Sequence, residues 1–245
     1  MKNIKIGSKL PDNKSPFLPG GSAPIKFFLN EVQPHEGSLL ILGNGFTEIV
    51  PHFLNTGFTP IHAASDDNTE IFGFKANTPK DQQVPAMFVD YTSLDHKTES
   101  FDFVFCQATL TLGVRNKLVK EIKRVLKPGG HLITTEILCN KKPAPTFLND
   151  IWADSGQDPL FTGDFEPYYT SRNFEVVKVA DFNDELDEFY IKSYKMLENN
   201  LKSVSAEQRQ KIRKEFAGEK HEITSLVKGG ALRYMNLKTM ILKKL

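Results

Sequence analysis

The stretch "LLILGNGFTEIVPHFLNTGF", Leu39 to Phe58, constrains the fold more than any other part of this 245-residue chain. Its apolar run Leu39 to Leu42 reads as a strand buried on both faces, and Gly43 and Gly45 make a turn behind it. Ile49, Phe53 and Leu54 then suggest an amphipathic helix that Asn55 and Gly57 can end. A strand, a glycine turn and a helix in that order open a nucleotide-binding α/β fold. In a dinucleotide fingerprint a third glycine permits close helix packing while the helix amino end receives a pyrophosphate. Here that position is Glu48, whose carboxylate would repel a pyrophosphate, so NAD and FAD are disfavoured.

The strand signal recurs. "TPIHAAS" reads as a second strand, "PAMFVD" as a third, "FDFVFCQ" as a fourth and "GGHLITTEIL" as a fifth. Between the last two, Val114, Leu118, Ile122, Val125 and Leu126 make a helical stripe that Pro128 and Gly129 stop. Strands alternating with helices predict a parallel sheet covered on both faces. Upstream, Ile25, Phe28, Leu29 and Val32 mark a helix leading into the domain. Downstream, "KKPAPTFLNDIWADSGQDPLFTGDFEPYYTSRN" has the mixture of a loop with short helices, and "FEVVKVADF" reads as a sixth strand. Between it and "LRYMNLKTMILKKL" lie residues 183–229, where Phe189, Ile191, Tyr194, Met196 and Leu197 suggest one helix. "SAEQRQKIRKEF", with its serine cap, suggests another.

In such folds ligands gather at the carboxyl ends of the strands, which directs attention to Gly43–Glu48, Ser65–Asp67, Asp90, Tyr91, Gln107–Thr109 and Glu136–Asn140. The two glycines serve either a ligand's close approach or simply a tight turn, and Asp66 and Asp67 either bind a ligand or cap the helix that follows. Cys106 and Cys139 are too few for a disulfide framework, lack zinc-like spacing and read as buried thiols. His131 begins the fifth strand, away from the ligand end, and no other histidine has an identifiable partner, so neither a catalytic histidine nor a metal site is expected. Thirty-one basic against thirty acidic residues leave no global field favouring nucleic acid or an anionic membrane. No apolar run reaches the length of a membrane span, and "MKNIKIGSKLPDNKSP" lacks the apolar centre of a signal peptide. A cytoplasmic protein is expected.

From Gly37 to Leu138 the chain resembles the class I S-adenosylmethionine-dependent methyltransferases. "FDFVFCQATLTLGVRNKLVKEIKRVLKPGGHLITTEIL" is similar, element by element, to that family's fourth strand, following helix, "RVLKPGG" turn and fifth strand. "GNGFTE" resembles a variant of its glycine motif. The resemblance implies a Rossmann-like, doubly wound, mostly parallel seven-stranded sheet with an antiparallel last strand. It implies one domain over 1–245, with a helical lead-in at 1–36, a cofactor-binding core at 37–140 and a helical lid inserted at 183–229. S-adenosylmethionine, which has no phosphate, removes the objection posed by Glu48. The cofactor-binding set carried over is Gly43, Asn44, Gly45, Glu48, Ser65, Asp66, Asp90, Tyr91 and Gln107. Within it the glycine turn meets the methionine part, the end of the second strand the ribose, and Asp90 with Tyr91 the adenine. Ile41 stands where the family has an acid, Thr47 where it commonly has a third glycine, and Ser65 at the ribose acid, leaving Asp66 favoured for that role. Small-molecule members build acceptor pockets from elements added near the strand ends, so Thr109, Trp152, Tyr190, Tyr194 and Arg233 are expected as pocket residues, with Tyr168 and Tyr169 nearby. The implied activity is methyl transfer to a small-molecule acceptor, against a degenerate binding or scaffold protein of the same fold.

Overall fold

The apolar runs pair into a seven-stranded sheet in the order β3-β2-β1-β4-β5-β7-β6. A computed structural model describes residues 18–203 and 217–245. The strands are β1 (Gly37–Leu42), β2 (Phe58–Ser65), β3 (Ala86–Phe88), β4 (Phe101–Gln107), β5 (Leu126–Cys139), β6 (Phe174–Asp181) and β7 (Met235–Lys244). The first five run parallel, while β7 is antiparallel to both β5 and β6. The strand order reverses between β1 and β4, which pair from Leu39 opposite Phe103 to Leu42 opposite Cys106. A crevice opens at such a switch point.

Alternate residues of the central strands feed two cores. Leu40, Leu42, Val104 and Cys106 face α4 (Arg115–Val125), whose Leu118 and Ile122 are fully buried. Leu39, Ile41, Phe103 and Phe105 face α1 (Ala23–Glu31), through Ile25 and Phe28, and α3 (Asn68–Asn77), through Ile71 and Phe74. A third cluster lies at the far edge. There Ile137 of β5 and Leu237 of β7 meet α5 (Thr146–Asp154). Among the described residues, two helices between β6 and β7 complete it, and in chain order, with α6 (Phe165–Thr170) before them, they are α7 (Asn183–Ser203) and α8 (Ala217–Lys228).

Two elements differ from their sequence reading. The helix after the glycine turn is a single turn, α2 (Phe46–Ile49), continued as 3-10 helix over Val50–His52. Pro51 has no N–H to give to the carbonyl four residues back, so the α-helix cannot propagate past it. Phe53 still buries its ring, and the chain turns with positive φ at Asn55 and Gly57. The "KPGG" segment, read as a turn, lies within the strand: β5 starts directly after α4, and its pairing with β4 shifts register between Phe101 and Phe103. The helix expected from Ser205 lies outside the described residues.

Candidate functional site

Each glycine of the opening turn answers to a different neighbour. Gly43 has φ +128°, and a Cβ there would stand 2.1 Å from Thr109 Oγ1. Thr109 is held in that place by donating its hydroxyl to the Leu42 carbonyl at 3.0 Å. The turn after β1 thus carries glycine so that the turn after β4 can approach it. Gly45 is left-handed at φ +86° and caps α2. The Phe46 N–H, which a pyrophosphate would seek, instead donates to Glu70 Oε1 of α3 at 2.7 Å. Burial raises the Glu70 carboxyl above its usual pKa against the pull of the Phe46 and Gly45 N–H groups. A second anion at this turn would meet Glu70, an argument against a dinucleotide that stands independently of Glu48. Glu48 is exposed.

The end of β2 is tied to the rest. Ser65 is buried, donates to Asn44 Oδ1 at 2.6 Å and accepts the Asp67 N–H at 3.0 Å. The buried Tyr91 hydroxyl joins the same node through the Ser65 side chain and the Asp66 backbone, and burial pushes its pKa up. Asp67 caps α3 by accepting the Thr69 N–H at 2.8 Å. Asp66 lines the cleft.

The cleft encloses about 900 Å³, its open mouth included. One side is built from strand ends: Gly43, Asn44, Asp66, Tyr91, Gln107 and Ala108. The other has Thr111 and Leu112 after β4, Ile137 of β5, and Phe189 and Tyr190 of α7. Ser155, Gln157 and Glu222 of α8 complete that side. Leu18 and Pro19 close the first side, where Gln107, only 3 % exposed, donates Nε2 to the carbonyls of Pro19 at 2.9 Å and Gly21 at 2.8 Å.

Of the residues expected from sequence, Gly43, Asn44, Asp66, Tyr91, Gln107, Thr109 and Tyr190 are brought together here. The others stand elsewhere. Gly45 packs toward Leu18 and Ile49 as the cap of α2, and Ser65 holds the node beneath the floor. Asp90 is exposed and accepts the Thr92 N–H at 2.7 Å, a bond that draws its pKa down. A short polar side chain after a strand serves its own turn as readily as a ligand. Trp152 is buried in the far-edge cluster, Tyr194 lies half-buried with Lys228 Nζ 4.9 Å from its ring centre, and Arg233 is exposed over the Tyr234 ring. Sequence reasoning missed Phe189, Gln157 and Glu222 as lining residues. For Phe189 a signal existed, since it precedes Tyr190 on the same helix. Glu222 gave none, because a glutamate in a charged helix looks like a solvated one.

Behind the second side lies a buried ion pair. Arg115 of α4 stands 3.3 Å from Glu136 Oε2 of β5, with side-chain exposures of 5 % and 0 %. Its guanidinium donates to the carbonyls of Leu110, at 2.6 Å, and Asp158, fastening the 3-10 turn after β4 to the segment carrying Gln157. Glu136 also accepts the hydroxyls of Tyr169 and, at 3.1 Å, Thr134. Burial outweighs these partners and raises its pKa to about 7. Among the described residues no group of three or more His, Cys, Asp or Glu could hold a metal ion, and no helix is long and apolar enough to cross a membrane.

Comparison with known proteins places this arrangement. Residues 40–134 match a family model described as a methyltransferase domain. No curated protein matches the chain. Among solved structures, the cyclopropane synthase MmaA2 from Mycobacterium tuberculosis is 11 % identical with a TM-score of 0.73, covering 91 % of this chain and 83 % of that one. A geranyl diphosphate C-methyltransferase from Streptomyces coelicolor A3(2), solved with Mg2+, geranyl diphosphate and S-adenosyl-L-homocysteine, is 10 % identical with a TM-score of 0.67, covering 91 % and 79 %. The [4+2]-cyclase SpnF is 16 % identical with a TM-score of 0.71, covering 91 % and 82 %. Residues 40–134 match the methyltransferase domain, and the surrounding sheet has the fold these structures share.

Proposed function

We propose that the protein transfers the methyl group of S-adenosylmethionine to a small-molecule acceptor bound in the same cleft. The observation that carries this reading is the continuity of the cleft: strand ends that would hold the cofactor and helices that would hold an acceptor line one space. Asp66 would take the ribose hydroxyls, the backbone at Gly43 and Asn44 the methionine part, and Tyr91 would border the adenine. The cofactor fits this lining. Its described residues include no Lys or Arg to oppose a sulfonium, and Gln107 keeps a buried Oε1 without a hydrogen-bond partner, ready to accept an N–H.

The cofactor supplies a methyl group on a good neutral leaving group. The chain's own task is therefore to align and to exclude water. Alignment of bound reactants is worth roughly 7 to 11 kcal/mol in favourable intramolecular cases. Here Thr109 holds the turn after β4 against the turn after β1, and the Arg115-fastened segment together with α7 and α8 would cover the acceptor side. A binding or scaffold role is favoured by one observation, the buried Ile41 at the position where the family has an acid. The test is calorimetry with S-adenosylmethionine, S-adenosylhomocysteine and NAD, followed by a search for methyl transfer. Binding of the first two and not of NAD is expected. Tight nucleoside binding without turnover on any acceptor would favour the scaffold reading, and NAD binding would overturn both.

A further inference from the structure

Residues Leu18 to Gly21 form a tight turn ahead of α1. The Gly21 N–H donates to the Leu18 carbonyl at 2.9 Å, Pro19 holds the second position, and Gly20 holds the third at φ +91°. That is the pattern of a type II turn, whose third residue needs positive φ and whose second takes a ψ about 150° away from its value in type I. The Pro19 carbonyl is turned accordingly, and Gln107 at the end of β4 meets it: Nε2 donates to Pro19 at 2.9 Å and to Gly21 at 2.8 Å. Two carbonyls engage both amide protons and fix the orientation of the amide. Gln107 is 3 % exposed, and its Oε1 is left buried without a hydrogen-bond partner. A clamp that served the fold alone would have no reason to carry an orphaned acceptor into the lining of a cleft. The turn itself belongs to that lining. Leu18 and Pro19 line the cleft together with Gly43 and Asn44, and Leu18 packs on the cluster of Phe46 and Ile49, where a Cβ added to Gly45 would stand 3.1 Å from its Cδ1.

We propose that Gln107 is a positioning residue for the cofactor: its NH2 group holds the Leu18–Gly21 turn in place as a wall of the cofactor side, and nucleoside affinity depends on Gln107 through that wall. This rests on the methyltransferase reading above. The strand-end residues of the cleft are fixed by the pairing of the sheet. The turn precedes α1 and lies outside the sheet, so its place is set by side-chain contacts. Gln107 joins the two, since its backbone pairs with Thr135 of β5 while its amide reaches the carbonyls of the turn. Release of the turn would take Leu18 and Pro19 out of the wall and open the cofactor side to water. The strand ends would keep their own places, so affinity should fall while the fold persists. Leucine at 107 fills much of the same space and can make neither bond.

The experiment compares the full chain with Gln107→Leu, Leu18→Ala and the double variant, reading S-adenosylhomocysteine affinity by calorimetry and amide exchange by NMR. Gln107→Leu should weaken the nucleoside about tenfold and Leu18→Ala about fivefold. In the Gln107→Leu background, Leu18→Ala should change affinity by less than about twofold, because the wall it belongs to is already released. In the parent, saturating S-adenosylhomocysteine should slow exchange of the Gly21 amide at least about tenfold; in saturated Gln107→Leu it should slow it by less than about twofold. A clamp that mattered for stability alone would lower the unfolding midpoint and leave both affinity and the ligand's protection of Gly21 as in the parent. An affinity within about twofold of the parent in Gln107→Leu, equal losses from Leu18→Ala in both backgrounds, or protection of Gly21 that survives in Gln107→Leu overturns the proposal. Should Gln107→Leu not fold, Gln107→Asn, a methylene shorter and unable to reach both carbonyls, replaces it in every arm. Failure of S-adenosylmethionine and S-adenosylhomocysteine to bind the parent would sink the methyltransferase reading instead. Exchange of the Gly21 amide without ligand would then judge the clamp alone: faster in the variant supports it, and a rate within about twofold of the parent overturns it.

Discussion

Gly43 and Thr109 form a pair whose meaning depends on which atoms meet. A Cβ at 43 would meet the Thr109 hydroxyl at 2.1 Å but its Cβ at only 3.4 Å, and the backbone has φ +128°. Gly43→Ala should therefore destabilise by about 2 kcal/mol or more, from strain and from displacing Thr109 off the Leu42 carbonyl. Thr109→Ala alone should lose about 1 kcal/mol. The double variant should lose less than the sum, because the clashing hydroxyl is gone, and urea unfolding of the four proteins measures the coupling. Strict additivity would show that the close approach is not what requires the glycine. Asp66 and Asp67 divide in the same way. Asp67→Ala should cost about 1 kcal/mol of stability through its lost cap and leave nucleoside affinity intact. Asp66→Ala should weaken S-adenosylmethionine about tenfold with stability nearly unchanged, as calorimetry and thermal melts would report. The sequence marked these four residues by type and place, yet left open which aspartate caps, since one residue of register decides it.

Among elements, strands were easier to read than the contacts between them. "FDFVFCQ" coincides with β4, because a run of buried residues bounded by polar ones has one length and one direction. Helix α2 stopped early at Pro51, a signal present in the sequence and outweighed there by the spacing of Ile49 and Phe53. Glu136 was invisible as a network residue, since its partners Arg115 and Tyr169 come from α4 and α6, far along the chain on either side. That network makes a pH prediction. Its folded pKa of about 7 lies above the 4.5 of a free glutamate, so between the two the folded state binds more protons than the unfolded. Its contribution is therefore fully present below the unfolded value and declines as pH rises through 7. The whole decline is at most roughly 3 kcal/mol. Glu136→Gln keeps the shape and removes the titration. Subtracting its urea stability from the parent's at each pH cancels the other groups, and the parent's relative advantage should shrink between pH 5 and pH 8. A difference that stays flat, or grows with pH, would mean Arg115 holds Glu136 ionised throughout.

At the scale of the whole molecule, the sheet was legible because alternation of strand and helix leaves few ways to bury both faces, whereas the acceptor side depends on where a late helix returns. Glu222 reaches the cleft only because α7 and α8 pack on the edge of the sheet. The packing also bears on what kind of lid they form. Leu186 and Phe189 of α7 and Leu226 of α8 share one apolar cluster with Ile137 of β5 and Leu237 of β7, and Leu186 and Leu226 are each only 1 % exposed. Helices joined to the sheet in this way are a fixed wall rather than a flap that swings clear. Leu186→Ala should then cost about 3 kcal/mol, the loss typical of a buried leucine. Replacing residues 183–229 by a short turn should abolish cooperative unfolding, because it bares that cluster. In Leu186→Ala, the fraction that remains folded should bind S-adenosylhomocysteine within about twofold of the parent, since the strand ends that would hold it lie across the cleft. Urea titration and calorimetry on the same preparations separate the two effects. A shortened chain that unfolds cooperatively at the parent's midpoint would show the insert to be a detachable lid, and α7 would then contribute to the acceptor alone.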